Sequence, residues 1–249
     1  MKSAAVKSPR RWRQPSWFAV VVTVAAAVVF VRLGVWQLDR AGESERLALA
    51  FSAAASGEPV DFAKLGPPAA ETYPHVCVAG RFVADRVYFR DEQIRDGRLG
   101  VEVYSAFAPS GATNATAQPL LLVDRGWIAK NREDGTRIAL PASPEGEIDL
   151  RGIYAPFPGN GLRVGGNALA RQSGWPKLTL AIDAQEIAAD LGRPLLPRVL
   201  LLDADAASGF ERKWTTSAMP PERHRAYAAQ WFAFAIAAIA IFVFLHFKK

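Results

Sequence analysis

The chain has 249 residues, half of them hydrophobic, with a formal charge of +6, three histidines, one cysteine and two methionines. Its positive charge lies at the two ends, because the stretch from residue 33 to residue 247 holds 22 basic against 24 acidic residues. Nucleic-acid binding, which needs a basic surface on a folded domain, is therefore not indicated. One cysteine excludes an internal disulfide and a C-x-x-C motif, and two methionines argue against a soft-ligand copper chaperone.

A first apolar segment, residues 17–36, follows a 16-residue tail with five basic residues and no acidic one. Trp17 and Trp36 mark its boundaries, and its 20 residues suffice to cross a bilayer. A cleavable signal peptide is an alternative, but the clearest small-residue cleavage candidate, residues 53–55, lies far beyond the apolar run. A mitochondrial presequence is another alternative because the tail is basic. A bacterial inner membrane is favoured.

A second apolar segment, residues 227–247, has 21 residues without a formal charge. At about 1.5 Å rise per residue it crosses a hydrocarbon core of about 30 Å. The positive-inside rule places the tail, residues 1–16, and the terminal lysines, residues 248–249, in the cytoplasm. Residues 37–226 are therefore expected in the periplasm.

The part of the chain between these segments has mostly the pattern of β-strands. Short runs rich in β-branched and aromatic residues recur at residues 75–82, 86–92, 99–109, 119–129, 147–156 and 197–204. One helix is predicted at residues 183–191, where Asp183 provides an N-cap and Gly192 a C-terminal stop. We expect an α+β membrane protein in which two transmembrane helices flank one β-rich extracytoplasmic domain, an antiparallel meander or partly closed barrel.

His224 stands at the outer end of the second apolar segment, and helical spacing places Tyr227 and Trp231 on the same face. An imidazole above two aromatic rings can ligate a haem iron. An interfacial histidine among the aromatic residues that belong to the membrane boundary is the commoner arrangement. From these residue types alone, both interpretations remain open.

Three further polar side chains lie in or near the apolar segments. Arg32 is a charge within the first segment, and its side chain either reaches the outer surface or meets a carboxylate or propionate partner. Gln37 and Gln230 lie near the outer ends of the two segments, where each can donate or accept a hydrogen bond between helices.

The β-rich part offers no convincing catalytic set. It lacks the G-x-S-x-G, H-E-x-x-H, P-loop and G-x-G-x-x-G motifs, and His75 is its only histidine away from the membrane boundary. Cys77, flanked by valines in a strand-like run, is expected to be a buried structural thiol. We predict no enzymatic activity, with a membrane-anchored enzyme as a remote alternative.

Several blocks of the chain resemble, in order, the surfeit-locus assembly factors of cytochrome c oxidase. The block L-G-x-W-Q-x-x-R is similar to residues 33–40, G-x-F to residues 80–82, and R-x-G-x-x-G-x-x-V to residues 95–103. The most specific block, V-x-R-G-W, is matched by residues 123–127, and the closing block, H-x-x-Y-A-x-Q-W-F, by residues 224–232. The resemblance covers essentially the whole chain.

This resemblance implies a non-enzymatic membrane chaperone that helps to insert haem a into subunit I of the oxidase. It implies that His224 is the axial ligand of the haem iron. We place this site at the outer ends of the two spans, with apolar walls and a nearby cation contributed by Tyr227, Trp231, Trp36 and Arg32. The implied partners are subunit I, the haem A synthesis machinery and membrane lipid.

The resemblance also singles out Arg125, Gly126 and Trp127. A strand that ends in an exposed arginine and tryptophan either docks the oxidase or folds the domain, and Gly126 is expected to serve folding. The chain departs from the family where Glu45-Arg46 stands in place of a lysine and where residues 161–177 match only loosely. The alternative function is a membrane-anchored scaffold that contacts the oxidase without binding haem.

Overall fold

The computed structural model of the chain describes residues 11–12, 14–69, 72–111, 118–130, 138–159, 169–214 and 219–248. It contains two compact units. Met1–Leu49 and Thr216–Lys249 form the first unit, and Ala50–Thr215 form the second. Part of the loosely matching segment, residues 160–168, lies outside the described residues, as do residues 1–10 of the basic tail.

Three α-helices occur in the described residues: α1 Trp17–Ala55, α2 Ala184–Leu191 and α3 Pro221–His246. With 39 and 26 residues, α1 and α3 are both long and apolar enough to cross a membrane. The first predicted span lies within α1, and the second lies within α3 except for its last residue, Phe247. The helix α1 continues well beyond its apolar segment because no proline interrupts the chain before Ala55.

The described residues also contain nine strands: β1 Arg11–Trp12, β2 Val60–Asp61, β3 His75–Arg95, β4 Arg98–Pro109, β5 Leu120–Ala129, β6 Ile148–Pro156, β7 Lys177–Thr179, β8 Leu195–Leu202 and β9 Phe247–Lys248. Strands β1 and β9 pair antiparallel in the first unit and so bring the two ends of the chain together. The other seven form one mixed sheet in the second unit.

The sheet closes on itself. Its strand order is β2-β3-β4-β5-β8-β6, and β6 also pairs with β3, which makes a ring of five strands. The barrel expectation is thus confirmed, and β3, β4 and β5 form the antiparallel meander. The antiparallel expectation is wrong at β8, which runs parallel to β5. A parallel pair needs a long crossover connection, and the chain between β5 and β8 supplies one that includes α2.

Two of the predicted strands, residues 75–82 and 86–92, are one continuous strand, β3. Its register against β4 shifts between Phe82 and Val87, and Asp85 there has a φ of 56°. An irregularity of this kind bends a strand without ending it. Residues 83–85, between the two runs, therefore lie at a bend in one strand rather than at a boundary between two.

One core cluster draws side chains from all five strands of the ring: Val76, Val78, Phe107, Leu121, Val123, Leu150, Tyr154, Leu200 and Leu202. Side chains alternate between the two faces of a strand, so Cys77, between Val76 and Val78, points away from this cluster. Cys77 is a free thiol of intermediate exposure, and the expectation of a buried thiol is wrong.

A second cluster lies under α2, where Ile187 packs with Tyr88, Tyr104 and Leu122. The helix has the predicted ends. The Asp183 carboxylate accepts hydrogen bonds from the backbone amides of residues 185 and 186, and Gly192 ends the helix with a φ of 63°.

Candidate functional site

Side chains of α1 and α3 meet along one line in the first unit, which we call the α1–α3 seam. Its contacts join Phe30 to Trp231 and Phe234, Gly34 to Phe232, and Gln37 to His224. Residue numbers rise along α1 as they fall along α3, so the two helices are antiparallel. Small residues on the seam, such as Gly34, let a facing aromatic ring pack against the helix.

His224 is bonded across the seam. Its Nδ1 donates a hydrogen bond to Oε1 of Gln37 at 2.7 Å. An amide oxygen only accepts, so Nδ1 carries a proton, and in the neutral imidazole the lone pair is then on Nε2. Within the described residues, no hydrogen bond to Nε2 is present. The prediction that Gln37 bonds between helices is thus confirmed, whereas Gln230 is exposed.

An aromatic layer lies about two turns further along α3. The Trp231 ring stacks on Phe30 with centroids 5.9 Å apart and meets Phe234 edge-on at 5.8 Å. These rings are apolar and rigid, and they lie on the seam that contains His224. The structure therefore brings Trp231 and His224 to the same face of α3, as the spacing predicted.

None of the α1–α3 contacts named above, in the described part of the chain, involves the other three predicted site residues. Tyr227 is 43% and Trp36 49% exposed, and Arg32 is exposed as well. Arg32 precedes Gln37 by five residues, which places it roughly 140° round α1 from the residue that contacts His224. The structure therefore does not bring Arg32 to His224.

Beyond His224, two polar contacts join α1 to α3 and to the chain just before α3. Arg225 forms a salt bridge with Glu45 at 2.6 Å, and the Ser44 hydroxyl donates a hydrogen bond to the Met219 carbonyl at 3.2 Å. Glu45 is one of the two residues that stand where the family resemblance predicted a lysine. Because its partner is a cation on α3, an acidic residue at this position joins the two helices.

His224 is a single imidazole donor on the seam. Within the described part of the chain, no group of three or more His, Cys, Asp or Glu side chains is placed to hold a metal. A haem iron would need only one imidazole from the protein, because the macrocycle supplies four nitrogens. The seam rings of Phe30 and Trp231 are apolar and stack on each other across the two helices.

The R-G-W block lies in β5, and its large side chains are buried. Trp127 is 0% and Arg125 4% exposed, so the expectation of an exposed arginine and tryptophan is wrong. The Arg125 guanidinium donates to the Ser143 hydroxyl at 2.9 Å and stacks 4.6 Å from the Phe210 ring. Burial, with the charge of Arg212 nearby, lowers the pKa of Arg125 to about 10.

Trp127 is packed by the other block that the resemblance singled out, R-x-G-x-x-G. Its Nε1 donates to the Gln93 carbonyl at 3.1 Å, and the guanidinium carbons of Arg98 and Arg95 lie 5.0 and 5.7 Å from its ring centroid. Its ring occupies the space that a Cβ on Gly100 would need. The two blocks are separate in the sequence but meet in the fold, because they lie on neighbouring strands.

Gly126 is required by conformation and by space. Its φ is 120°, which side-chain-bearing residues rarely adopt, and a Cβ there would lie 2.9 Å from the Cβ of Phe210. The prediction that Gly126 serves folding is confirmed.

A pair of buried carboxyl groups was not predicted from the sequence. Asp124 is 1% and Glu102 9% exposed, and both take part in hydrogen bonds: Asp124 accepts from the Gly126 amide at 3.0 Å, Glu102 from Tyr104 at 3.1 Å. Burial, with the negative charge of Glu102 beside it, raises the pKa of Asp124 well above its ordinary value. The sequence feature that could have indicated a buried carboxyl group is the aspartate at the end of the apolar run L-L-L-V-D.

An open cavity of about 820 Å³ lies in the second unit, beside Arg125. Its charged lining consists of three arginines and three aspartates: Arg125, Arg151, Arg212, Asp149, Asp203 and Asp205. Neither Trp127 nor any histidine or cysteine lines it. The cavity thus offers mixed charge without a ligand for iron.

The family described as the SURF1 family matches residues 24–236, which is most of the 249-residue chain. Comparison with curated proteins finds no match. The matched region contains the R-G-W block, the whole β-sheet ring and the seam residues of both helices.

Proposed function

From the premise that this chain belongs to the SURF1 family, we propose that it is a membrane-anchored assembly factor of cytochrome c oxidase that binds haem a transiently through His224 and assists its insertion into subunit I. The family is associated with assembly of the oxidase and is not a family of catalytic enzymes. Haem a is the cargo in this proposal.

The observation that carries the proposal is the state of His224. Its Nδ1 proton is bonded to Gln37, so Nε2 is the nitrogen with a lone pair to offer iron. Histidine ligands in metal sites ordinarily have this arrangement, with the second ring nitrogen bonded to a neighbouring acceptor. The Trp231 and Phe30 rings on the same seam favour an apolar macrocycle over a small hydrophilic ligand.

A single imidazole suits a temporary site. A haem iron held by one protein ligand would be able to accept a second donor from a recipient protein. Two strong protein ligands would slow release. His224 at the end of a span lies near the depth at which a membrane-embedded recipient can receive the cargo.

We place the protein in a bacterial inner membrane with both ends in the cytoplasm and the β-rich unit in the periplasm. The basic tail and the terminal lysines support this orientation, and the pairing of β1 with β9 supports ends on one side. Lipid surrounds the spans, and enzymes of haem A synthesis are the expected donors of the cargo.

The test compares three proteins purified in mild detergent from cells that make haem A: wild type, His224→Ala and His246→Ala. His246 is the matched control, since it lies at the other end of α3 and its Nδ1 bonds the Phe242 carbonyl at 2.7 Å. We expect the haem a spectrum in wild type and His246→Ala and its loss in His224→Ala, at equal protein yield.

The alternative, a scaffold that contacts the oxidase without haem, gives a different result. Neither the wild type nor either variant would then contain haem a, and His224→Ala would still support oxidase assembly. Haem retained by His224→Ala with an unchanged spectrum would contradict the assignment of His224.

A further inference from the structure

We propose that Gln37 is the positioning residue of the His224 site: its side-chain carbonyl keeps the proton on Nδ1 and thereby directs the lone pair of Nε2 to the iron of the cargo. This inference rests on the proposed haem role of His224. It adds a second residue, from the other helix, that determines how strongly the imidazole binds.

The geometry of the seam supports this assignment. Gln37 follows Gly34 by one turn and precedes Ala41 by one turn, and Gly34 and Ala41 are both buried on the seam. Ala228, one turn after His224 on α3, is 1% exposed. Because both bonded side chains lie next to buried small residues, their 2.7 Å bond depends on the packing of two helices.

The chemistry of the acceptor sets the strength of the axial ligand. An imidazole whose Nδ1–H is bonded to an acceptor donates more electron density from Nε2 than one without an acceptor. A carboxylate in place of the amide would strengthen this effect because it is anionic. A neutral amide therefore gives intermediate binding, which is suited to a site that must release its cargo.

As a positioning residue, Gln37 differs from a glutamine that only joins two helices. A residue that only joined helices would change stability when replaced, and it would leave the imidazole's electronic state unchanged. A positioning residue changes the tautomer of His224 in the haem-free protein and the reduction potential of the haem-loaded protein.

The first experiment does not need haem. Nitrogen NMR of histidine-labelled full-length protein in detergent, at a pH where His224 is neutral, reports which ring nitrogen carries the proton. We expect Nδ1–H in wild type and a shift of the population toward Nε2–H in Gln37→Leu. A wild-type His224 with its proton on Nε2 would overturn the inference, whatever the protein does with haem.

The second experiment titrates the same proteins with haem a and measures affinity, reduction potential and the iron–histidine stretching frequency. Loss of an outer-shell partner of a metal ligand typically costs about 10–100-fold in affinity, and we expect this for Gln37→Leu. Its potential should rise and its stretching frequency fall, and both should change in the opposite direction in Gln37→Glu. Gln230→Leu, an exposed glutamine on α3, is the matched control and should behave as wild type.

The outcomes separate the two proposals. If His224→Ala loses haem a while both Gln37 variants keep the wild-type potential and stretching frequency, the haem site stands and the role of Gln37 is wrong. If wild type binds no haem a, the proposed function fails together with the haem part of this inference, and the tautomer measurement alone reports on the hydrogen bond. Circular dichroism of each variant checks that the helices remain folded.

Discussion

Asp124 is a carboxyl group in the middle of an apolar strand, beside a second acid. Burial raises its pKa in the folded protein above that of an unfolded aspartate, about 3.9, and the charge of Glu102 raises it further. The folded protein therefore holds this proton more tightly than the unfolded chain does. The contribution of Asp124 to stability is complete below about pH 4 and is lost as the pH rises through the folded-state pKa.

We predict that Asp124→Asn stabilises the protein at neutral pH and not at acid pH. The asparagine is neutral at every pH, and its Oδ1 can still accept the Gly126 amide. The stability of wild type should fall with rising pH relative to the variant, by at most about 1.4 kcal/mol per pH unit for one proton. Urea unfolding of the full chain in detergent, followed by circular dichroism from about pH 4 to pH 8, measures this difference.

The control for this measurement is Asp149→Asn, because Asp149 is an exposed aspartate on β6. It should leave the pH dependence unchanged. Parallel pH profiles for wild type and Asp124→Asn would mean that the Asp124 carboxyl group is ionised in the folded protein, and the prediction would be wrong.

Trp127 and Arg125 show that residue type does not decide exposure. Their residue types are those enriched at protein interfaces, yet their side chains are nearly inaccessible. The Trp127 ring is packed by Gly100 and two arginine side chains. Direct docking through these two residues remains a prediction without support from their exposure, whereas their packing gives them a role in folding.

The pair of helices α1 and α3 is the element on which the proposed site depends. Aromatic stacking, the Gln37–His224 bond and the Arg225–Glu45 salt bridge occur in sequence along the seam. Between a lipid-exposed pair of helices there is little hydrophobic driving force, so packing and hydrogen bonds provide the association. The seam should therefore be sensitive to the size of its small residues.

We predict that Gly34→Leu disturbs the seam and weakens the bond between Gln37 and His224. A Cβ at Gly34 would lie 2.8 Å from Cζ of Phe232, so this ring must move. Overpacking of this kind costs about 1–3 kcal/mol. Thermal unfolding of the helices and the nitrogen NMR signal of His224 measure the two effects.

Gly42→Leu is the matched control on the same helix, since a Cβ at Gly42 would meet only the end of the Arg46 side chain at 3.9 Å. It should leave both measurements near wild type. If Gly34→Leu also leaves the His224 signal unchanged, the packing at Gly34 does not determine the geometry of the hydrogen bond.

For the whole molecule, the central prediction concerns topology. Two helices long enough to cross a membrane, with basic residues concentrated outside them, predict both ends of the chain in the cytoplasm. In a Cys77→Ser background, a membrane-impermeant maleimide should label Gly66→Cys from the periplasm and should label Ser3→Cys only after the inner membrane is opened. Gly66 is exposed, with open space around it.

Intact-protein mass spectrometry is the companion measurement. A mass that includes residues 1–16 is expected if the first span is a permanent anchor. A shorter chain, cut after the apolar run, would mean that this segment is a cleaved signal peptide, and the helix pair would then be absent from the mature protein.

Most of the fold was predictable from the sequence because it depends on local patterns. The ends of α2 are determined by an aspartate and a glycine with well-defined backbone preferences, and the structure has them where predicted. The strands of the ring were predicted from short runs rich in β-branched and aromatic residues. The bend in β3 was misread as a boundary, because a bulge and a turn share the same residue types.

The candidate site was predictable only in part. Helical spacing grouped His224 with Trp231 correctly because both lie on one helix. The same rule could not say which face of α1 meets α3, so Trp36 and Arg32 were placed at the site although the seam runs along the face of Gly34 and Gln37. The rotation of one helix about its axis relative to another depends on side-chain packing between them.

The sequence by itself determined the two apolar helices, the strand-rich middle and the family, because composition and spacing report on local structure and on the solvent around each segment. The orientation of the helices by charge stays a prediction. The tertiary structure alone decided that β8 inserts beside β5, that Trp127 and Arg125 are buried, that Asp124 lies beside Glu102, and that Gln37 bonds His224. Each of these outcomes depends on contacts between residues distant in the chain, and those contacts exist only because packing of the whole domain or of two helices brings the residues together.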